Sequence, residues 1–127
     1  HNKISIYGDA NFLSLSNILK NINPRNLFFL LDIEGKEYYL FDDKFCKKFS
    51  QSTFIVEEHP FNVTNKMKIK SFMQKIKKHY NIEILNDVSK NPFNFKILDK
   101  FTDDEKYLMM SEGRPKSMRW LVLKPKK

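Results

Sequence analysis

The sequence predicts an α+β domain in which a small mixed or antiparallel sheet packs against two or three helices, and three observations carry that reading. Its 127 residues are 41% hydrophobic and 30% charged with only 3 Gly and 5 Pro, the profile of one folded domain. Short apolar runs of strand type are interleaved with segments of helical spacing. No Pro/Gly/Ser-rich linker and no internal repeat divides the chain, so residues 1–127 are read as a single domain, of a kind that can be excised from a larger protein.

Taken in order, Lys3 to Tyr7 reads as a strand and Gly8-Asp9 as a turn. Phe12, Leu15, Ile18, Leu19 and Ile22 recur at helical spacing, and Asn23-Pro24 stops them, which predicts a helix over 11–22. Leu27 to Leu31 and Tyr38 to Phe41 are apolar and aromatic runs flanking a turn-like 32–36, the pattern of a hairpin. Asp42 and Asp43 open a loop or short helix carrying Phe45, Cys46 and Phe49, and Thr53 to Val56 is the next strand, ended by charges and Pro60.

The strongest element follows. Thr64 or Asn65 can cap a helix whose Ile69, Phe72, Met73, Ile76 and Tyr80 share one stripe. Ile82 to Leu85 and Phe93 to Leu98 are predicted strands, with a loop over 86–92 between them. Thr102-Asp103-Asp104-Glu105 fits a capping box for a helix through Tyr107 to Met110. Arg119 to Leu123 is the last strand, with Lys124 to Lys127 as a basic tail; Trp120 is placed in the core.

Several chemistries lack their residues. One cysteine, Cys46, excludes an internal disulfide and favours a reducing setting, cytoplasmic or nuclear. Its place between Phe45 and Phe49 marks it as a small buried hydrophobe. No apolar stretch reaches the length of a membrane span, and the start at His1 does not read as a signal peptide. Gly8, Gly35 and Gly113 stand alone, so no phosphate-binding glycine loop exists. His1, His59 and His79 are far apart in sequence, so neither a metal nor any cofactor is expected, and the chain reads as a non-enzyme. The adjacent acids Asp42/Asp43, Glu57/Glu58 and Asp103/Asp104 read as structural or solvated. Were an activity to exist, Asp42, Asp43, Glu57 and Glu58 would be tested first.

Charge is the functional clue. Residues 1 to 65 carry seven Lys or Arg against eight Asp or Glu, whereas residues 66 to 127 carry sixteen against seven, so the formal +8 resides in the second half. A focused positive face attracts nucleic acid, anionic lipid or an acidic protein. Lys66, Lys68, Lys70, Lys75, Lys77 and Lys78 occupy the polar circumference of the predicted basic helix, and Arg114, Lys116 and Arg119 form a second group before the last strand. Arginine can add bidentate bonds there that lysine cannot.

The second half resembles Ras-binding and Ras-association domains. The residues that carry this are Lys77-Lys78-His79-Tyr80-Asn81-Ile82 at the helix end, Phe101-Thr102-Asp103-Asp104-Glu105-Lys106, and Arg119-Trp120-Leu121-Val122-Leu123-Lys124. The resemblance implies a ubiquitin-like second half and, as partner, the acidic effector surface of a small GTPase, with Lys66 and Lys68 near the helix start matching the family's basic positions. Thr53 to Glu58 departs from the basic edge strand of that family by carrying Glu57 and Glu58. The expectation is thus an intracellular interaction module that binds an acidic protein, a small GTPase or a larger complex, through the basic helix; the alternative is sequence-independent DNA or RNA binding by the same surface.

Overall fold

The computed structural model describes residues 4–60, 66–86, 90–111 and 118–126. Within them the chain is α+β, with a mixed four-stranded sheet in the order β1-β2-β4-β3. Helix α1 (Phe12–Ile18) precedes β1 (Phe28–Leu31); α2 (Glu37–Leu40) and α3 (Asp43–Lys48) lead to β2 (Thr53–Glu58). Helix α4 (Lys66–His79), β3 (Tyr80–Asn86), α5 (Asp103–Met110) and β4 (Arg119–Pro125) complete the order. Strand β2 pairs in parallel with β1, and β4 pairs antiparallel with both β2 and β3. Strands β1, β2 and β3 therefore run one way, and the last strand of the chain lies between two of them.

Parallel neighbours need a crossover, and α2 and α3 supply it between β1 and β2. This replaces the expected hairpin. Glu34 and Gly35 both take positive φ, 52° and 91°, and Gly35 makes that turn cheap. The Glu37 carboxylate then accepts the Gly35 N–H at 2.9 Å, and Tyr38 to Leu40 continue as a helical turn instead of a returning strand. Asp42 caps α3 by accepting the Phe45 N–H at 2.7 Å.

The core lies on the helix-covered face of the sheet. Phe29, Leu31, Phe54, Val56, Leu121 and Leu123 meet Phe41, Phe45 and Phe49 from the α2–α3 segment and Phe72 and Ile76 from α4. Phe54 is its centre, stacked on Phe29 with centroids 4.6 Å apart and edge-on to Phe41 and Tyr80 at 5.3 and 5.5 Å. Buried, Cys46 sits in the same cluster, where burial first and then Asp43 and Asp42 push its thiol up to about 12. The Tyr80 phenol, whose hydroxyl reaches the Cys46 carbonyl at 3.3 Å, is also raised by burial.

The predicted stripe of α4 is correct: Phe72, Ile76 and Tyr80 are buried, with Ile69 and Met73 packed at the margin. Tyr80 itself already belongs to β3. The capping box at Thr102 is present in full. Other expectations fail for identifiable reasons. Ile4 and Ile6 are exposed and form no strand: their alternation supplies an apolar face, but the segment is not among the paired strands of the sheet. The first helix ends at Ile18 rather than Ile22. Pro92–Asn94 and Lys96–Leu98 are 3-10 turns, not a strand; Asn91 caps the first, and Leu98 alone among the apolar residues of the second turns inward. Lys124 and Pro125 belong to β4 rather than to a tail, and Trp120 is only half-buried, because Leu121 and Leu123 take the core face. The proposed caps Thr64 and Asn65 lie outside the described residues, as does most of the 111–116 loop.

Candidate functional site

Two groups of polar side chains meet at the carboxyl edge of β1 and β2, where sheet topology most often places ligand sites in open α/β arrangements. The last two residues of β2 divide them. Alternation turns Glu57 and Glu58 to opposite faces, as the sequence predicts for adjacent carboxylates on a strand, but both are buried rather than solvated, at 2% and 0% exposed. Carboxylates at that depth require partners.

Glu58, on the helix side, has two. The Tyr38 hydroxyl donates to Oε1 at 3.1 Å, and Nε of Arg119, opposite Glu58 in the β2–β4 register, donates to Oε2. Burial, then the charges of Glu58 and Glu37, push the Tyr38 phenol well above its ordinary range. The hydrogen bond to Glu58 raises Arg119 further still. Tyr38 is thus held as a neutral donor and Arg119 as a permanent cation.

The second group surrounds His59, which is 2% exposed. Fully buried Glu37 accepts the Gly35 N–H and the His59 backbone N–H, the latter at 2.8 Å, so its carboxylate is fixed between α2 and the end of β2. Its Oε1 faces Nδ1 of the His59 ring at 3.4 Å. On the other side of the ring, Nε2 faces Asp32 Oδ1 at 3.4 Å, Glu34 Oε2 at 3.6 Å and Glu57 Oε2 at 3.8 Å. Asp32 directly follows β1, and the left-handed backbone at Glu34 directs the chain back toward α2. The donor atoms of Asp32, Glu34 and His59 all lie within 4.8 Å of one another. An imidazole nitrogen with carboxylate oxygens is chemically a donor set for a divalent cation.

The residues singled out from sequence are distributed differently. Lys66, Lys70, Lys77 and Lys78 are exposed along α4, and no acidic side chain occurs in that helix. Lys68 is engaged with Tyr39, its Nζ 2.7 Å from the hydroxyl and 3.9 Å from the ring centroid. Lys75 is half-buried. Arg119 is committed to Glu58, while Arg114 and Lys116 lie outside the described residues. Asp42 is the cap of α3 and Asp43 its exposed first residue, so neither joins Glu57 and Glu58. Sequence reasoning missed Asp32, Glu34, Glu37 and His59. The available signal was an apolar strand ending in acid twice, Leu31-Asp32 and Val56-Glu57-Glu58-His59, once β1 and β2 are known to be parallel neighbours.

No protein-family model, curated protein or solved structure matches the chain. No helix among the described residues is long and apolar enough to cross a membrane.

Proposed function

We propose that this chain is a binding module for an anionic polymer, and that the polymer is the phosphate backbone of a nucleic acid, engaged by the outward stripe of α4. The supporting observation is the arrangement of Lys66, Lys70 and Lys77. At 3.6 residues per turn they fall within about 40° of one another and span about 16 Å of helix. Lys78 flanks them, and all four are exposed on a helix without acids. Phosphate binding needs this and little else, because lysines act as point charges that position a backbone without reading bases.

An acidic protein, including the small GTPase that the family resemblance implies, would use the same lysines. A protein interface also draws its affinity from buried aromatic or arginine anchors. Among the described residues of α4, Met67 is the exposed large apolar side chain, and Arg119 is held by Glu58. The phosphate reading therefore fits the surface better.

The test is a salt series with an unrelated duplex and an unrelated single strand. Four phosphate contacts give a slope near −3.6 on duplex, so affinity should fall by about 10²-fold between 50 and 200 mM salt. In the variant Lys66→Ala/Lys70→Ala/Lys77→Ala/Lys78→Ala that slope should collapse while the circular dichroism stays unchanged. A folded variant with an undiminished slope would refute the proposal. So would absence of nucleic-acid binding alongside retained, lysine-dependent binding to an acidic polypeptide.

A further inference from the structure

We infer that Asp32, Glu34 and His59 form a site for a divalent transition cation at the carboxyl edge of β1 and β2. The inference is independent of the lysine stripe and rests on four features of the cluster.

The first is the ring's orientation. Glu37, which no solvent reaches, is locked by two backbone N–H groups and presents an oxygen to Nδ1 of His59. Histidines that bind metals through one nitrogen commonly turn the other toward a carboxylate or carbonyl. Here the Glu37 oxygen stands 3.4 Å from Nδ1, a charge contact rather than a hydrogen bond, while Nε2 faces Asp32 and Glu34. The second is spacing. A charged imidazolium held by carboxylates draws their oxygens to about 2.7–2.9 Å. The oxygens of Asp32 and Glu34 instead stand 3.4 and 3.6 Å from Nε2. Ligands about 2.1 Å from one tetrahedral ion are separated by about 3.4 Å, so these distances match the edges of a coordination polyhedron.

The third is charge. Glu57 adds a third carboxylate oxygen 3.8 Å from Nε2, and Glu37 a fourth carboxylate behind the ring. Carboxylates gathered this closely attract a cation. The fourth is access. The side chains of Asp32 and Glu34 are 56% and 74% exposed, so an ion can enter from solvent and keep water in its remaining positions. One nitrogen and two carboxylate oxygens suit Mn²⁺ or Zn²⁺ better than Mg²⁺ or Ca²⁺, which take oxygen ligands.

The experiment titrates chelator-treated protein with MnCl₂ and with ZnCl₂ at pH 7, following stoichiometry by calorimetry and the ligand nitrogen by electron spin-echo spectroscopy of bound Mn²⁺. One equivalent should bind, with an imidazole nitrogen coupling, and at least tenfold more tightly than Mg²⁺ or Ca²⁺. The deciding variant is Asp32→Asn/Glu34→Gln, because both side chains are exposed. It should retain its circular dichroism and thermal midpoint without metal, and bind Mn²⁺ and Zn²⁺ at least tenfold more weakly. Absence of saturable binding to the parent protein at millimolar metal, absence of the nitrogen coupling, or equal affinity in the folded double variant would each overturn the assignment.

Discussion

Replacing Arg119 with methionine should destabilise the domain by about 3 kcal/mol. The substitution keeps most of the apolar stem and removes the guanidinium. In the native protein the Glu58 carboxylate is fully buried and receives one bond from Tyr38 and one from Arg119. Without Arg119 it becomes a buried anion with a single neutral donor. Removing one partner of a buried pair costs about 3–5 kcal/mol, and two features place this case at the lower end. The Arg119 side chain is 37% exposed, so water can approach the vacated space, and the Tyr38 bond survives. In a urea titration at pH 7 the midpoint should fall by about 1–3 M, given slopes of about 1–3 kcal/mol per M for small domains. The double variant Glu58→Gln/Arg119→Met should recover most of the loss, because no buried charge is then left behind. A loss below about 0.5 kcal/mol, the range of an ordinary surface change, would refute the reasoning. A double variant no more stable than Arg119→Met would do the same.

Further outcomes follow from the core and the caps. Phe54→Ala should cost about 3–5 kcal/mol by calorimetry, since its ring touches four others; a loss under about 1 kcal/mol would move the centre of the core elsewhere. Asp42→Ala should cost about 1 kcal/mol through loss of the α3 cap, with Asp43→Ala within about 0.5 kcal/mol of the parent; equal costs would contradict the assignment. Alkali should destabilise the fold. The Cys46 thiol is raised from 9.0 to about 12, so between those pH values the native state holds a proton that the unfolded chain releases. Stability from this group is intact below pH 9 and falls by up to about 1.4 kcal/mol per unit above it. Urea midpoints from pH 8 to 10.5 should therefore decline, and less steeply for Cys46→Ala; parallel slopes would remove Cys46 as a cause.

What could be read from sequence was whatever depends on neighbours along the chain. The stripe of α4, the Thr102 capping box and the last strand are local patterns found where spacing put them, and the segment at Asp42, readable as a loop or a short helix, is a helix. The hairpin at 27–41 failed because Tyr38 to Phe41 is aromatic enough for a strand, while the turn at Glu34-Gly35 and the Glu37 carboxylate redirect the chain into a helix. Phe93 to Leu98 alternates in the same misleading way, but Pro92 with the Asn91 cap starts a 3-10 turn instead. The His59 cluster was illegible for a different reason. Its members come from 32–37 and 57–59, and only the parallel pairing of β1 with β2 makes them neighbours. Acid pairs at strand ends read as solvated until topology shows that two such ends lie side by side.

The position of β4 bears on how the protein is made. It follows the other three strands of the sheet in the chain, yet it lies inside the sheet and is the partner through which β3 joins β2. Until Arg119–Pro125 has been synthesised, β3 has no partner in this sheet, β2 presents a bare edge, and Glu58 lacks its cation. A chain lacking β4 would leave these strand edges open, the condition that favours pairing with other chains. The four-stranded sheet is therefore complete only once β4 has joined it.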